Sequence, residues 1–168
     1  MIDQPTPIGP PPWYTWALHE IGFHETGNNR GIEHYIALAH CGSLGDPWCA
    51  IFANAGLEQA GIRGTRSALA RSFERDPNFV ALDGYAIGAI TTMWRGSPRS
   101  GTGHVFYYAG YNDAGCLALG GNQSDKVCKQ TEPWARIVGC YWPKSYPMPQ
   151  LVDENDAPVD AAPQGSET

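Results

Sequence analysis

The segment that most constrains the fold is residues 46–52, DPWCAIF. A loop that ends in Pro47 and Trp48 leads directly into Cys49, the first residue of a predicted helix. From Cys49 onward, small and apolar residues recur with the spacing of a helix packed on a core: Phe52, Ala53, Gly56, Leu57 and Ala60. Gly61 is predicted to end this helix. Unpaired N–H groups at a helix N-terminus favour negative charge, so Cys49 is predicted to have a lowered thiol pKa and to act as a nucleophile. The alternative is a small buried core residue.

The hydrophobic period changes from helical to alternating along the chain, which predicts an α+β domain with helices first and an antiparallel sheet second. The predicted helical segments are 12–22, 32–39, 49–60 and 66–71, and the predicted strands are 87–94, 103–111, 116–120 and 136–142. We divide the chain into an extended proline-rich segment (1–11), one catalytic domain (12–143) and an acidic tail (144–168) that is expected to be disordered.

Composition excludes several classes of partner. The net charge of -6 gives no basic surface for nucleic acid, and no apolar run is long enough to cross a membrane. The N-terminus lacks the basic and apolar regions of a signal peptide, so synthesis in the cytoplasm is expected. The chain is also expected to be a monomer.

A cysteine nucleophile needs a base and a polar group that orients the base. His104 lies at the start of a predicted strand, directly after the small residues 100–103, and Asn122 follows the next predicted strand. The intervening hairpin brings both to the same end of the sheet, so His104 is the predicted base and Asn122 the residue that fixes its tautomer. The alternatives are a structural histidine and a turn residue that tolerates a left-handed backbone.

Metal sites are weaker candidates. His19 and His24 resemble a zinc-protease pair but stand one residue too far apart to share a helix face. The loop 25–29 has oxygen ligands without the alternating carboxylates of an EF-hand. No metal or cofactor is therefore predicted.

Five cysteines leave at least one thiol free in a monomer. Cytosolic synthesis favours reduced thiols. If one disulfide forms, Cys116 and Cys128 are the expected pair, since they flank a short connection.

Several segments occur in an order that resembles a known family. They are Pro12-Trp13-Tyr14, Glu20-Ile21-Gly22, Pro47-Trp48-Cys49-Ala50, residues 67–72, Gly103-His104-Val105 and residues 119–124 (LGGNQS). Together they resemble phage-type cell-wall hydrolases of the CHAP and NlpC superfamily of papain-like cysteine amidases and peptidases, over roughly residues 12–143. Two positions depart from the family: Trp48 stands where related enzymes often have an oxyanion-holding glutamine, and Gly88-Ala89 replaces a usual Gly-Asp.

The resemblance implies a papain-like fold and cleavage of peptidoglycan, either at the muramoyl-L-alanine amide or within the stem peptide, through a thioester. It assigns Cys49 as nucleophile, His104 as base and Asn122 as orienting residue. The expected substrate-binding residues are Trp48, Trp94, Tyr107 and Gln123. The protein would act on the cell wall after release by a holin or a secretion system.

Two other functions remain open from the sequence. One is a thiol acyltransferase or deamidase on the same fold, used as an antibacterial toxin and paired with an immunity protein. The other is a catalytically inactive wall-binding or virion component.

Overall fold

The computed structural model describes residues 9–152. The helices are α1 (Pro12–Glu20), α2 (Glu33–Ala39) and α3 (Cys49–Gln59), with short 3₁₀ helices at Ala70–Glu74 and Trp134–Arg136. The strands are β1 (Phe79–Ala81), β2 (Ile90–Trp94), β3 (Gly103–Asn112), β4 (Gly115–Gln123), β5 (Lys126–Glu132) and β6 (Ile137–Pro143). Helices precede one antiparallel sheet, which confirms the predicted α+β class. Within residues 9–152 no helix has the length and apolarity to cross a membrane.

The six strands form one sheet in the order β1-β6-β2-β3-β4-β5. The two central strands, β2 and β3, pair in regular register from Ile90 opposite Tyr107 to Trp94 opposite Gly103. The pairing of β4 with β5 shifts register between Gly120 and Gln123. This irregularity lies at the end of the sheet where β3 begins.

Helix α3 packs on the middle of the sheet through two close approaches. The Tyr107 hydroxyl on β3 donates a 2.6 Å hydrogen bond to the carbonyl oxygen of Ala53. On β4, a Cβ atom at Gly121 would lie 2.6 Å from Phe52 and 2.7 Å from Trp48. A glycine is therefore needed where the first turns of α3 meet β4, and this contact sets the position of Cys49 relative to the sheet.

Alternation along β3 gives its two faces different neighbours. Tyr107 faces α3, whereas the rings of His104 and Phe106 lie on the opposite face with centroids 5.7 Å apart. That opposite face is also buried, since Phe106 is 1% exposed as well. His104 is accordingly only 1% exposed.

The four predicted strands and the three main predicted helices are confirmed with small shifts of their ends. Two strands were not predicted. β1 has three residues, too few for an alternating pattern, and β5 (KVCKQTE) has a polar composition that conceals its inward-facing residues. Burial of Gln130 and Glu132 shows that β5 turns polar side chains towards the interior.

The ordered chain continues past the predicted boundary at residue 143. Tyr146 packs its ring against Trp13 at 4.9 Å, and the Trp142 indole donates to the carbonyl oxygen of Pro147 at 3.0 Å. Val152 bridges to Tyr85. The prediction of a disordered tail was therefore wrong for residues 144–152, while its remainder and residues 1–8 of the extended segment lie outside the described residues.

Candidate active site

Cys49 is the first residue of α3, as the sequence predicted, and its side chain is 6% exposed. The preceding Trp48 caps the helix without a side-chain hydrogen bond to it. Instead, the Trp48 indole donates to the Glu25 carboxylate at 2.8 Å, and that carboxylate also accepts a 2.6 Å bond from the backbone N–H of Asn29. The buried indole–carboxylate pair anchors the loop that delivers the cysteine.

The expected lowering of the Cys49 thiol pKa is wrong in direction. Burial of the thiol raises its pKa, because water no longer stabilises the thiolate. The backbone N–H of Val105, the positive charge of Arg95 and the N–H groups at the start of α3 act in the opposite direction and are outweighed. The helix N-terminus therefore lowers the thiol pKa as predicted, but the opposing effect of burial is larger.

The interaction with Val105 also locates the sulfur. The sulfur lies against the backbone of β3, one residue after His104, at the end of the sheet where the pairing of β4 with β5 shifts register. The structure thus brings the predicted nucleophile beside the strand that carries the predicted base.

His104 is held by a hydrogen bond in which Nε2 lies 2.8 Å from Oε1 of Gln123. The pKa of the ring is lowered to about 3, mainly by burial and also by the nearby positive charge of Arg95, while the hydrogen bond with Gln123 acts in the opposite direction. The imidazole is therefore neutral at physiological pH.

The hydrogen bonds of Gln123 define the tautomer of this neutral ring. Its Nε2 group donates to the carbonyl oxygens of Ala118 at 3.2 Å and Cys128 at 2.7 Å. Both amide protons are thereby used, so Oε1 must be the atom that faces the imidazole, and it can only accept. Nε2 of His104 then carries the proton, and Nδ1 keeps the lone pair that a base requires.

Gln123 occupies the position that the sequence assigned to Asn122. Asn122 has a left-handed backbone (φ 55°) inside the register shift of β4, and this conformation breaks the alternation that would have turned its side chain to the ring. The prediction of Asn122 as orienting residue was therefore wrong. Gly120 makes room for the replacement, since a Cβ atom there would lie 2.8 Å from Oε1 of Gln123.

The structure also corrects three of the four expected substrate-binding residues. Trp48 and Tyr107 are 0% and 1% exposed and use their polar atoms on Glu25 and Ala53, so both belong to the core. Gln123 is fully buried and bound to His104. Trp94 remains half-buried at the end of β2, with the Arg136 guanidinium 5.4 Å from its ring centre.

A polar groove of about 490 Å³ opens next to this end of β3. It lies between the 3₁₀ helix Ala70–Glu74 and the loop that joins β2 to β3. Arg71 ties the two walls together: it forms an ion pair with Glu74 at 2.9 Å and donates to the carbonyl oxygen of Ser100 at 2.8 Å. No local pattern predicts this role for Arg71, although it lies in the 67–72 segment of the family resemblance.

Two residues considered as metal ligands, Glu25 and His24, form hydrogen bonds within the protein. The Glu25 carboxylate, considered for calcium, binds Trp48 and Asn29, and His24 Nδ1 lies 3.2 Å from a backbone carbonyl oxygen. Within residues 9–152 no group of three or more histidine, cysteine or acidic side chains could hold a metal ion. The five cysteines are free thiols.

The described residues form an α+β domain in which Cys49, at the start of α3, contacts the backbone of β3, while the His104 ring lies on the opposite face of that strand and is held by the carboxamide of Gln123. Comparison with models of protein families, with curated proteins and with solved structures finds no match to this chain.

Proposed function

We propose that this protein is a papain-like cysteine hydrolase that cleaves amide bonds of bacterial peptidoglycan. The observation that carries the proposal is the hydrogen-bond network of Gln123, which leaves the lone pair of His104 on Nδ1. Cysteine hydrolases need this tautomer, because the bonded nitrogen orients the ring and the other accepts the thiol proton. The family resemblance of residues 12–143 supplies the substrate class.

The shifted pKa values favour a neutral thiol and a neutral imidazole in the resting site. Transfer of the thiol proton to Nδ1 of His104 would therefore accompany attack of the sulfur on the amide carbonyl, rather than precede it as a stable ion pair, and it requires substrate binding to bring the two side chains together from opposite faces of β3. The imidazolium then gives this proton to the leaving amine, and a thioester remains on Cys49. In the second half, His104 takes a proton from water as the water oxygen attacks the thioester carbonyl. The C–S bond then breaks, the carboxylic acid product leaves, and the imidazolium returns the proton to the sulfur of Cys49.

The oxyanion needs at least one preorganised donor. The backbone N–H of Cys49 lies at the N-terminus of α3, where the helix itself provides no acceptor, and we assign it this role. The Trp48 side chain is buried against Glu25 and is not a second donor. This differs from related enzymes, in which a glutamine often precedes the cysteine.

Isolated peptidoglycan provides the direct test. Purified protein should release fragments whose masses identify the cleaved bond, and Cys49→Ala should abolish their release while keeping the wild-type melting temperature. Asn122→Gly is the matched control, since glycine keeps the left-handed backbone and removes only the carboxamide. Fragment release that survives Cys49→Ala would contradict the thioester mechanism.

Burial supports one competing proposal, that of a catalytically inactive wall component. Cys49 and His104 are 6% and 1% exposed, as residues retained for packing would be. In that case the wild-type protein would sediment with isolated walls without releasing fragments, and Cys49→Ala would sediment equally. An acyltransferase or deamidase would leave the wall intact and modify a protein acceptor.

A further inference from the structure

The groove beside β3 has an unusual charge for this protein. We define the arginine groove by the residues that line it, which are residues 69, 71, 72, 74, 75 and 98–101. Three arginines and one glutamate belong to it, Arg71, Arg75, Arg99 and Glu74, in a chain whose net charge is -6. We infer that the arginine groove binds a carboxylate group of the peptide substrate, an inference that rests on the proposed function.

One arginine of the groove uses its guanidinium for hydrogen bonds within the protein, and the other two are available to bind a ligand. Arg71 is half-buried, and its guanidinium is occupied by Glu74 and by the carbonyl oxygens of Pro98 and Ser100. Arg75 and Arg99 are exposed, and neither forms an ion pair within residues 9–152. Two uncompensated guanidinium groups on one groove favour a planar anion, and a carboxylate matches their donor geometry.

The second wall of the groove is preorganised by its own hydrogen bonds. The Ser100 hydroxyl bonds to the carbonyl oxygens of Arg95 and Ser97, the latter at 2.8 Å, and the Thr102 hydroxyl bonds to Arg95 at 3.0 Å. Arg71 then fastens this loop to the 3₁₀ helix. A ligand would meet a formed site and would not have to order the loop, which lowers the entropy cost of binding.

The position of the groove connects it to the proposed active site. A Cβ atom at Gly103, the residue before His104, would lie 2.8 Å from Cγ of Arg71. The groove therefore begins where β3 begins, and a bound carboxylate would hold the substrate next to the strand that carries the base. Free carboxylates are abundant in the peptide part of peptidoglycan, whereas its glycan backbone offers fewer of them.

Binding to a non-cleaving protein tests the inference separately from catalysis. The protein would be the full chain with Cys49→Ala, and the probes would be a muropeptide with free carboxylates and the same muropeptide with its carboxylates amidated. Calorimetry at low ionic strength should give a lower Kd for the first probe. The double variant Arg75→Gln, Arg99→Gln should raise that Kd about fivefold or more and leave the amidated probe unchanged.

Arg63→Gln is the matched control, because Arg63 is exposed, carries the same charge and lies outside the groove. It should leave both Kd values unchanged. The inference would be overturned if the double variant weakened binding of both probes equally or weakened neither. Tighter binding of inorganic phosphate than of the carboxylate probe would also overturn it. If the wild-type protein does not digest walls but arginine-dependent binding of the carboxylate probe persists, the carboxylate site is supported and the proposed hydrolase function is refuted.

Discussion

Acidification should destabilise the fold through His104 in particular. The folded state holds the pKa of this imidazole at about 3, against an ordinary value of 6.5. Between these two values the unfolded chain binds a proton at residue 104 and the folded chain does not. Stability must therefore fall as the pH falls through this window, and His104 contributes no pH dependence above it.

The size of the effect follows from the width of the window. Each pH unit costs about 1.4 kcal/mol of unfolding free energy while only the unfolded state is protonated at this site. Over the whole window the loss reaches about 5 kcal/mol, a large part of the stability of an ordinary domain. The cause is the burial of the ring, with Arg95 as a second contribution.

Urea unfolding at several pH values between 3 and 7 measures this slope. His104→Gln removes the titrating group and keeps a polar partner for Gln123, so its unfolding free energy should vary less steeply with pH than that of the wild type. NMR of the His104 imidazole protons over the same pH range gives an independent measurement of its pKa. Equal slopes for both proteins, or a His104 resonance that titrates near pH 6.5, would refute the argument.

Three further predictions concern the site. Gln123→Ala should lower kcat at least about 100-fold because the ring loses its tautomer and orientation, whereas Asn122→Gly should stay within a few-fold; the reverse order would restore Asn122 as the orienting residue. Alkylation of Cys49 by iodoacetamide at pH 7 should be slower than that of a small free thiol, because burial raises its pKa; rapid alkylation followed by mass spectrometry would reveal a preformed thiolate. Gly121→Ala should destabilise the fold by about 1 to 3 kcal/mol, since the added Cβ would meet Trp48 at 2.7 Å; an unchanged urea midpoint would show that α3 can move away at no cost.

The sequence alone determined the elements that local patterns control. The helical stripe from Cys49, the alternating strands and the hairpin between His104 and Asn122 depend on spacings of two to eleven residues, and α3, β2, β3, β4 and β6 agree with these predictions. Local pattern also placed Cys49 at a helix start and His104 at a strand start. β1 was not predicted because three residues are too few for an alternating pattern. β5 was not predicted because its inward-facing side chains include polar residues, which conceal the alternation.

Only the tertiary structure decided which carboxamide meets the imidazole and how the groups are charged. Asn122 and Gln123 are adjacent and chemically alike, and a left-handed residue within a register shift determines which of them reaches the ring. The pKa directions of Cys49 and His104 likewise depend mainly on burial in the folded protein. Spacing along the chain carries no information on desolvation, which depends on the whole packed core, and so the sequence could name the reacting groups but not their protonation states.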